Sequence, residues 1–312
     1  MAITHRIGVD FGGTKIEAIL LGPDGTAIDR HRVPTPRDDY PGSITAIGGL
    51  VDRMVAHCPS GVTPSVGIGI PGTESPRTSL IKNANSTWLN GRPLAADLAS
   101  ALGRPVRLAN DANCLAVSEA TDGAGAGFSV VFAAILGTGV GAGIAIDRRP
   151  LTGRNALVSE WGHMPLPWMT AEEFPGPECY SGRRGCVEAW CSGPAIAADH
   201  RRAGGDAIDL KQIAAGAAAG DAACRATLDR AFDRLARAFG TIVTLIDPDV
   251  IVLGGGVSNL PGLTEALGTR LPAAVFGGEA DTPFRLAAHG DSSGVRGAAW
   301  LWGEGDGADA NS

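Results

Sequence analysis

Aromatic side chains are scarce in this chain: six Trp, two Tyr and eight Phe make up 5% of 312 residues. An aromatic-rich binding surface is therefore not what the sequence offers. Its 45 glycines point instead to tight backbone turns. Positive charge is in deficit, since 26 Lys and Arg against 33 Asp and Glu leave a formal net charge of −7. That balance disfavours wrapping nucleic acid or lying on an anionic membrane, because both need a basic field. Long apolar runs are missing too. The longest, such as Val130 to Leu136, fall far short of the ~20 residues of a membrane span. The opening MAITHRIGVD has no charged region ahead of a long apolar core, so no signal peptide is expected and the protein is expected to be soluble and cytoplasmic. Six cysteines (Cys58, Cys114, Cys179, Cys186, Cys191 and Cys224) do not make a disulfide framework in a cytosolic chain of this size.

What is present is an apolar fraction of 44%, enough for a sizeable core. At ~150 residues per domain the length predicts about two domains. Strands are predicted over Arg6 to Asp10, Lys15 to Leu21 and Thr26 to Val33, joined by Phe11-Gly12-Gly13-Thr14 and Gly22-Pro23-Asp24-Gly25. Three hairpin-linked strands in a row do not suit a dinucleotide fold, which passes from its first strand directly into a helix. Apolar spacing predicts a helix over Ile44 to Val55. A strand at Val66 to Ile70, a helix at Leu94 to Leu102, a strand at Val106 to Ala109 and a helix at Ala112 to Ala120 follow. After a small-residue stretch at Gly123 to Gly127 the order repeats: strands at Val130 to Leu136 and Ala142 to Asp147, then helices between Pro194 and Ile246. Val250 to Leu253 reads as a strand, Leu260 to Leu267 and Asp291 to Trp302 as helices, and 303–312 as a disordered tail.

Five stretches carry chemistry. Asp10-Phe11-Gly12-Gly13-Thr14-Lys15 places two glycines where main-chain N–H groups and the Thr14 hydroxyl can bond phosphate oxygens, behind a carboxylate able to hold Mg²⁺. An ordinary Gly-Gly hairpin turn would look the same. Gly137-Thr138-Gly139 repeats the device one domain later, and a pair of such loops can grip a polyphosphate from both sides. Gly254-Gly255-Gly256 after a buried strand lets an adenosine lie against bare backbone, although a strand–helix turn also uses glycine. Asn110-Asp111 opens a helix at a strand end. Either residue suits a cap, and beside two phosphate loops Asp111 suits a general base. The last stretch, Glu160-Trp161-Gly162-His163 with Cys179, Cys186 and Glu188, combines His and spaced Cys fit for Zn²⁺ with carboxylates that can bond sugar hydroxyls, where core packing is the ordinary use of a lone His or Cys.

Taken together, these motifs resemble the ROK family (repressor, open reading frame, kinase) of sugar kinases over nearly the whole chain, from Asp10 to the HGDSSGVRGAAWL stretch at His289 to Leu301. Within the family the chain looks most similar to bacterial fructokinase/mannokinase, through Pro34 to Tyr40, Lys82 to Gly91 and Asn110 to Ala116, with the N-acetylglucosamine kinase branch less similar around Lys82 to Gly91. The resemblance implies an α/β, actin-like ATPase (ribonuclease H-like) fold of two domains with an interdomain active-site cleft. The domains expected are 1–120, completed by a helix at 291–302, and 121–290. It implies Asp111 as general base and Asn85, Asn110, Glu160, His163 and Glu188 on the sugar. Asp10, Gly12, Gly13, Thr14, Lys15, Gly137, Thr138, Gly139, Gly254, Gly255 and Gly256 would serve ATP with Mg²⁺. His163, Cys179 and Cys186 would be zinc ligands.

One position departs from the family pattern Cys-x-Cys-Gly-x-x-Gly-Cys: Ser181 stands where its second Cys belongs. A neutral hydroxyl is a poor zinc ligand beside a thiolate. Zinc held weakly with water, recruitment of Cys191, or loss of the metal are the alternatives. The reaction implied is ATP-dependent phosphorylation of the 6-hydroxyl of fructose, or of mannose or glucose, by a homodimer, with an N-acetylhexosamine kinase as the alternative. A sugar-sensing transcriptional regulator is disfavoured, because the phosphate loop begins at Asp10 and leaves no room for a DNA-binding segment ahead of it. A catalytically dead sensor is disfavoured by the intact Asp10, Asp111 and both loops.

Overall fold

The computed structural model describes residues 4–303. The chain order is β1 (Arg6–Phe11), β2 (Lys15–Leu21), β3 (Ala27–Pro34), α1 (Tyr40–Ala56), β4 (Ser65–Ile70), the short β5 (Thr73–Glu74) and β6 (Ile81–Lys82), α2 (Leu94–Leu102), β7 (Val106–Asn110) and α3 (Asp111–Asp122). Then come β8 (Val130–Leu136), β9 (Val140–Ile146), β10 (Arg149–Pro150), α4 (Val187–Cys191), α5 (Gly193–Arg202), α6 (Leu210–Ala218) and α7 (Ala222–Ile246). The chain ends in β11 (Val250–Gly254), α8 (Leu263–Arg270), β12 (Phe284–Leu286) and α9 (Ser293–Ala299).

Two five-stranded sheets run in the orders β3–β2–β1–β4–β7 and β10–β9–β8–β11–β12. In the first, β1 pairs antiparallel with β2 and parallel with β4, and β4 is parallel with β7. In the second, β11 is parallel to both β8 and β12. Each sheet thus sets three strands consecutive in sequence beside two later, parallel ones, which is the repeat visible in the sequence. By backbone contacts the described residues divide into a first unit of 4–129, 143–158 and 288–303 and a second of 130–142 and 159–287.

Several boundaries move from the sequence reading for identifiable reasons. Helix α1 starts at Tyr40 because the Asp39 carboxylate accepts from the Gly42 N–H at 2.9 Å and Pro41 occupies the first turn. Polar capping, not apolar spacing, sets that end. Helix α8 begins at Leu263, three residues late, since Gly262 (φ +75°) breaks the chain after a 3₁₀ turn at Gly256–Asn259. The last helix is shorter than expected, Ser293–Ala299 behind a 3₁₀ turn at Gly290–Ser292. Strand β12 carries no alternation long enough to announce it. The expected disordered tail, apart from Gly303, lies outside the described residues.

In the first unit β1 is buried on both faces. Ile7, Val9 and Phe11 pack with Ile47, Leu50, Val51 and Met54 of α1. On the other face Val295 and Ala299 of α9 pack with Ile19 and Leu21. Gly8 and Gly67 make that approach close, since a Cβ on either would lie 2.0 Å from Val295 O or 1.9 Å from Ala298 O. The second unit concentrates its few aromatics. Phe132, Trp161, Phe239 and Phe284 form edge-on and tilted pairs 4.9–6.4 Å apart by centroid. Asp249 joins β11 to β8, its N–H donating to Val130 O at 2.9 Å and its Oδ2 accepting from Val130 N at 2.7 Å.

Candidate active site

The first unit gathers its predicted residues at the C-terminal ends of the parallel strands β1, β4 and β7. Asp10 pairs in register with Gly69, and Ile70 with Asn110. The loop after Asp10 is held by its own backbone, Gly12 N donating to Lys15 O at 3.0 Å, and by Thr35, whose hydroxyl donates to Gly12 O at 2.7 Å. A Cβ at Gly12 would meet Lys15 O at 2.9 Å. Gly13 and Thr14 are exposed, which leaves their N–H groups and the Thr14 hydroxyl on the surface of the turn. A Cβ at Gly13 would lie 3.5 Å from Ser86 Oγ, the neighbour of Asn85.

The Pro71-Gly72 turn joins two more predicted residues. Asn85 N donates to Pro71 O at 3.1 Å, and the Asn110 side-chain amide donates to Gly72 O at 3.3 Å. Asn110 is also the cap of α3, its Oδ1 accepting from Ala112 N at 3.0 Å. Asp111 is the first helical residue and is exposed, with its Oδ1 accepting from the same N–H at 2.8 Å. Of the two residues, Asn110 therefore stands at the cap position and Asp111 inside the first turn. Lys15 belongs to β2 and is half-buried.

Burial, then repulsion from Asp111 and Glu17, raises the Asp10 carboxyl to about 6, against attraction from Lys15 and Arg32. A carboxylate so disfavoured suits a place where a cation arrives with substrate; Asp10 is the residue here that would hold Mg²⁺. The charge costs the fold nothing below the unfolded value of 3.8, a growing amount between 3.8 and about 6, and its full amount above that. Asp10→Asn is expected to exceed the parent in stability by ~2–3 kcal/mol near neutral pH. The gap should close as pH falls toward 4. Urea unfolding at both pH values checks this, and a constant difference would overturn it.

The second unit brings four predicted segments together. Val140, which follows the Gly137–Gly139 turn, donates its N–H to Glu188 Oε2 at 2.8 Å. A Cβ at Gly139 would lie 2.7 Å from that oxygen, so a side chain there would require the carboxylate to shift. Val140 also receives the Glu160–His163 turn, because a Cβ at Gly162 would fall 2.0 Å from Val140 O. Gly193 N donates to Gly137 O at 2.8 Å. Gly255 has φ +87°, and a Cβ there would meet Leu136 O at 2.4 Å, which lays Gly254–Gly256 against the end of β8. Thr138 and Glu160 are exposed.

His163 Nδ1 lies 3.6 Å from Cys179 Sγ, while its Nε2 meets the Tyr180 hydroxyl at 2.9 Å. Sequence reasoning missed Tyr180, because its role depends on the ring stacking edge-on to His163, with centroids 5.0 Å apart. Tyr180 thus occupies the ring nitrogen that does not face Cys179. The donor atoms of His163, Cys179 and Cys186 all lie within 4.8 Å of one another, and Ser181 Oγ is 3.8 Å from Cys186 Sγ. Burial pushes the Cys179 thiol up, but hydrogen bonds with Ser181 and His163 outweigh it and hold the thiol below its ordinary value. One imidazole and two thiols converging in this way fit Zn²⁺ as a three-donor set.

The ROK family profile matches residues 6–304. The chain belongs to the ROK family. An N-acetyl-D-glucosamine kinase from Escherichia coli O127:H6 is 40% identical over 299 residues, 94% of this chain and 98% of the relative. A ROK hexokinase from Thermus thermophilus is 30% identical with a TM-score of 0.83, covering 95% of this chain and 97% of that one. A ROK glucokinase from Streptomyces griseus, solved with glucose and AMPPNP, is 28% identical with a TM-score of 0.71, covering 95% and 98%. The fold is accordingly the two-domain actin-like ATPase fold of ROK proteins. Among the described residues no helix is long and apolar enough to cross a membrane.

Proposed function

We propose that this ROK protein is an ATP-dependent sugar kinase that phosphorylates the 6-hydroxyl of an N-acetylated aldohexose, N-acetyl-D-glucosamine first. The observation that carries this reading is the 40% identity to N-acetyl-D-glucosamine kinases across 98% of their length. Asp111 takes the hydroxyl proton as the sugar oxygen attacks the γ-phosphorus. The new O–P bond forms as the bond from the γ-phosphorus to the bridging oxygen breaks and ADP leaves. Backbone N–H groups around Gly12-Gly13-Thr14 and Gly137-Thr138-Gly139 receive phosphate oxygens, and Gly254–Gly256 offers bare backbone to the nucleoside. Asp10 would hold the Mg²⁺ that comes with ATP, and the ion would offset phosphate charge there. Asn85, Asn110, Glu160, His163 and Glu188 bind sugar hydroxyls. With Nε2 of His163 bonded to Tyr180, the sugar displaces that phenol or accepts its company. His163, Cys179 and Cys186 would hold zinc, which would tie the Glu160–His163 turn to the segment that carries Glu188.

Fructose is the second acceptor, favoured by the Lys82–Gly91 segment. There the Asn90 side chain closes a loop on Ala84 N and O at 2.9 and 3.0 Å. ADP release measured with N-acetylglucosamine, N-acetylmannosamine, glucose, mannose and fructose separates the readings. N-acetylglucosamine is expected to lead in kcat/KM by at least ~10-fold, the scale of a pocket that reads one extra group. A lead for fructose would overturn the acetylated acceptor and restore the ketohexose. Turnover with no sugar would overturn the kinase reading.

A further inference from the structure

One ring nitrogen in the second unit has two claimants. Nδ1 of His163 faces Cys179 Sγ at 3.6 Å, which leaves Nε2 as the nitrogen a sugar hydroxyl can use. That nitrogen already meets the Tyr180 hydroxyl at 2.9 Å. A phenol both donates and accepts, as a sugar hydroxyl does, so either one satisfies Nε2 in either ring tautomer. A ring nitrogen offers one lone pair or one N–H, and the two hydroxyls compete for it.

The imidazole stands among other groups assigned to the sugar. His163 N donates to Glu160 O at 3.1 Å, and Val187 N donates to Met164 O at 2.9 Å. These bonds tie the Glu160–His163 turn to the start of α4, one residue before Glu188. Burial, then repulsion from Glu188, Cys179 and Glu160, pushes the Tyr180 phenol up, so its oxygen is near both carboxylates.

Tyr180 is also free to leave. The residue is 81% exposed, so its departure uncovers no core. Its turn is closed by backbone alone, Gly182 N donating to Cys179 O at 2.9 Å and Cys179 N to Arg183 O at 2.8 Å. Rotation about side-chain torsions therefore suffices to release Nε2.

We propose that Tyr180 is an internal competitor for the sugar: its phenol holds His163 Nε2 while the site is empty and swings out when an acceptor hydroxyl takes that nitrogen. Tyr180 is thereby a positioning residue. It orients the imidazole before the sugar arrives and sets the affinity of the site. The inference rests on the sugar-kinase reading, through His163, and not on which hexose is the acceptor.

Tyr180→Phe provides the test, because it keeps the ring edge on His163 and removes only the hydroxyl, at an exposed position where substitutions cost the fold little. Dissociation constants for N-acetyl-D-glucosamine and fructose are measured by calorimetry without ATP. The acceptor sugar is expected to bind the variant about 2- to 10-fold more tightly than the parent, the worth of the one hydrogen bond it no longer displaces. A second readout needs no sugar. With histidine rings isotope-labelled for NMR, one imidazole among the six of the chain should shift its Nε2 resonance on Tyr180→Phe. The same resonance should shift when the acceptor sugar is added to the parent. Weaker binding by the variant would make the phenol a sugar contact and overturn the competition. No gain for either sugar would overturn it too, as would histidine spectra that coincide. Failure of the kinase reading shows separately, as no ADP release from the parent with any sugar.

Discussion

Asp111→Asn is expected to lower the turnover number for sugar phosphorylation by roughly 10²–10⁴-fold, the contribution of a positioned general base. The sugar KM should change little, since the amide keeps the size and the acceptor oxygen of the acid while losing the capacity to take a proton. The fold should tolerate the change, because the cap of α3 belongs to its neighbour. Asn110 Oδ1 accepts from Ala112 N at 3.0 Å, and the bond from the same N–H to Asp111 Oδ1 at 2.8 Å can be kept by an amide oxygen. What is lost structurally is one negative charge in the first turn of a helix, about 0.3–1 kcal/mol when exposed. A thermal melt beside the kinetics separates the two effects. Turnover within about tenfold of the parent would remove Asp111 from the role. A loss of turnover matched by a large fall in melting temperature would assign it to structure.

The cap at Asn110 shows how far the sequence could be read. Both residue types favour helix caps, so the letters alone leave the cap and the base interchangeable. Only the backbone at Asn110, with φ −62° and ψ 149°, decides that it precedes the helix. The Asp10–Lys15 loop was legible because its chemistry is local: consecutive residues make the turn that exposes their N–H groups. The two sheets were legible for the same reason, as hairpins and alternation are short-range signals. Glu188 is different. Its type suggested a sugar contact, but its bond to Val140 N joins residues 48 apart in sequence and depends on Gly139 leaving room. Tyr180 gave no signal at all, since an exposed tyrosine in a Cys-rich loop acquires meaning only when a ring 17 residues earlier turns its Nε2 toward it. The Lys82–Gly91 segment resembled fructokinase, whereas the 299 residues aligned as a whole resemble N-acetyl-D-glucosamine kinases. A ten-residue segment samples too little of the chain to rank sugar acceptors.

Gly297→Ala is expected to cost roughly 3 kcal/mol or more of folding stability, at or beyond the top of the usual overpacking range. Helix propensity alone argues the opposite, since Ala is favoured over Gly inside a helix by about 1 kcal/mol. Geometry decides between them. A Cβ on Gly297 would lie 1.7 Å from Cys114 O and 2.4 Å from Cys114 C, inside the backbone of α3. No rotamer change relieves a clash with main chain, so α9 would have to move away from α3. It cannot retreat freely, because its other side rests on Gly8 and Gly67, where added Cβ atoms would meet Val295 O and Ala298 O at 2.0 and 1.9 Å. Its flank is also tied, with Ser293 Oγ donating to the fully buried Glu119 at 3.0 Å. Gly268 in α8 supplies the control, having nothing within 4 Å of a new Cβ. There the propensity term acts alone, and Gly268→Ala should stabilise by up to about 1 kcal/mol. Urea unfolding of the two variants should therefore give opposite signs. If Gly297→Ala matched Gly268→Ala, the backbone-to-backbone seat of α9 on α3 would be wrong.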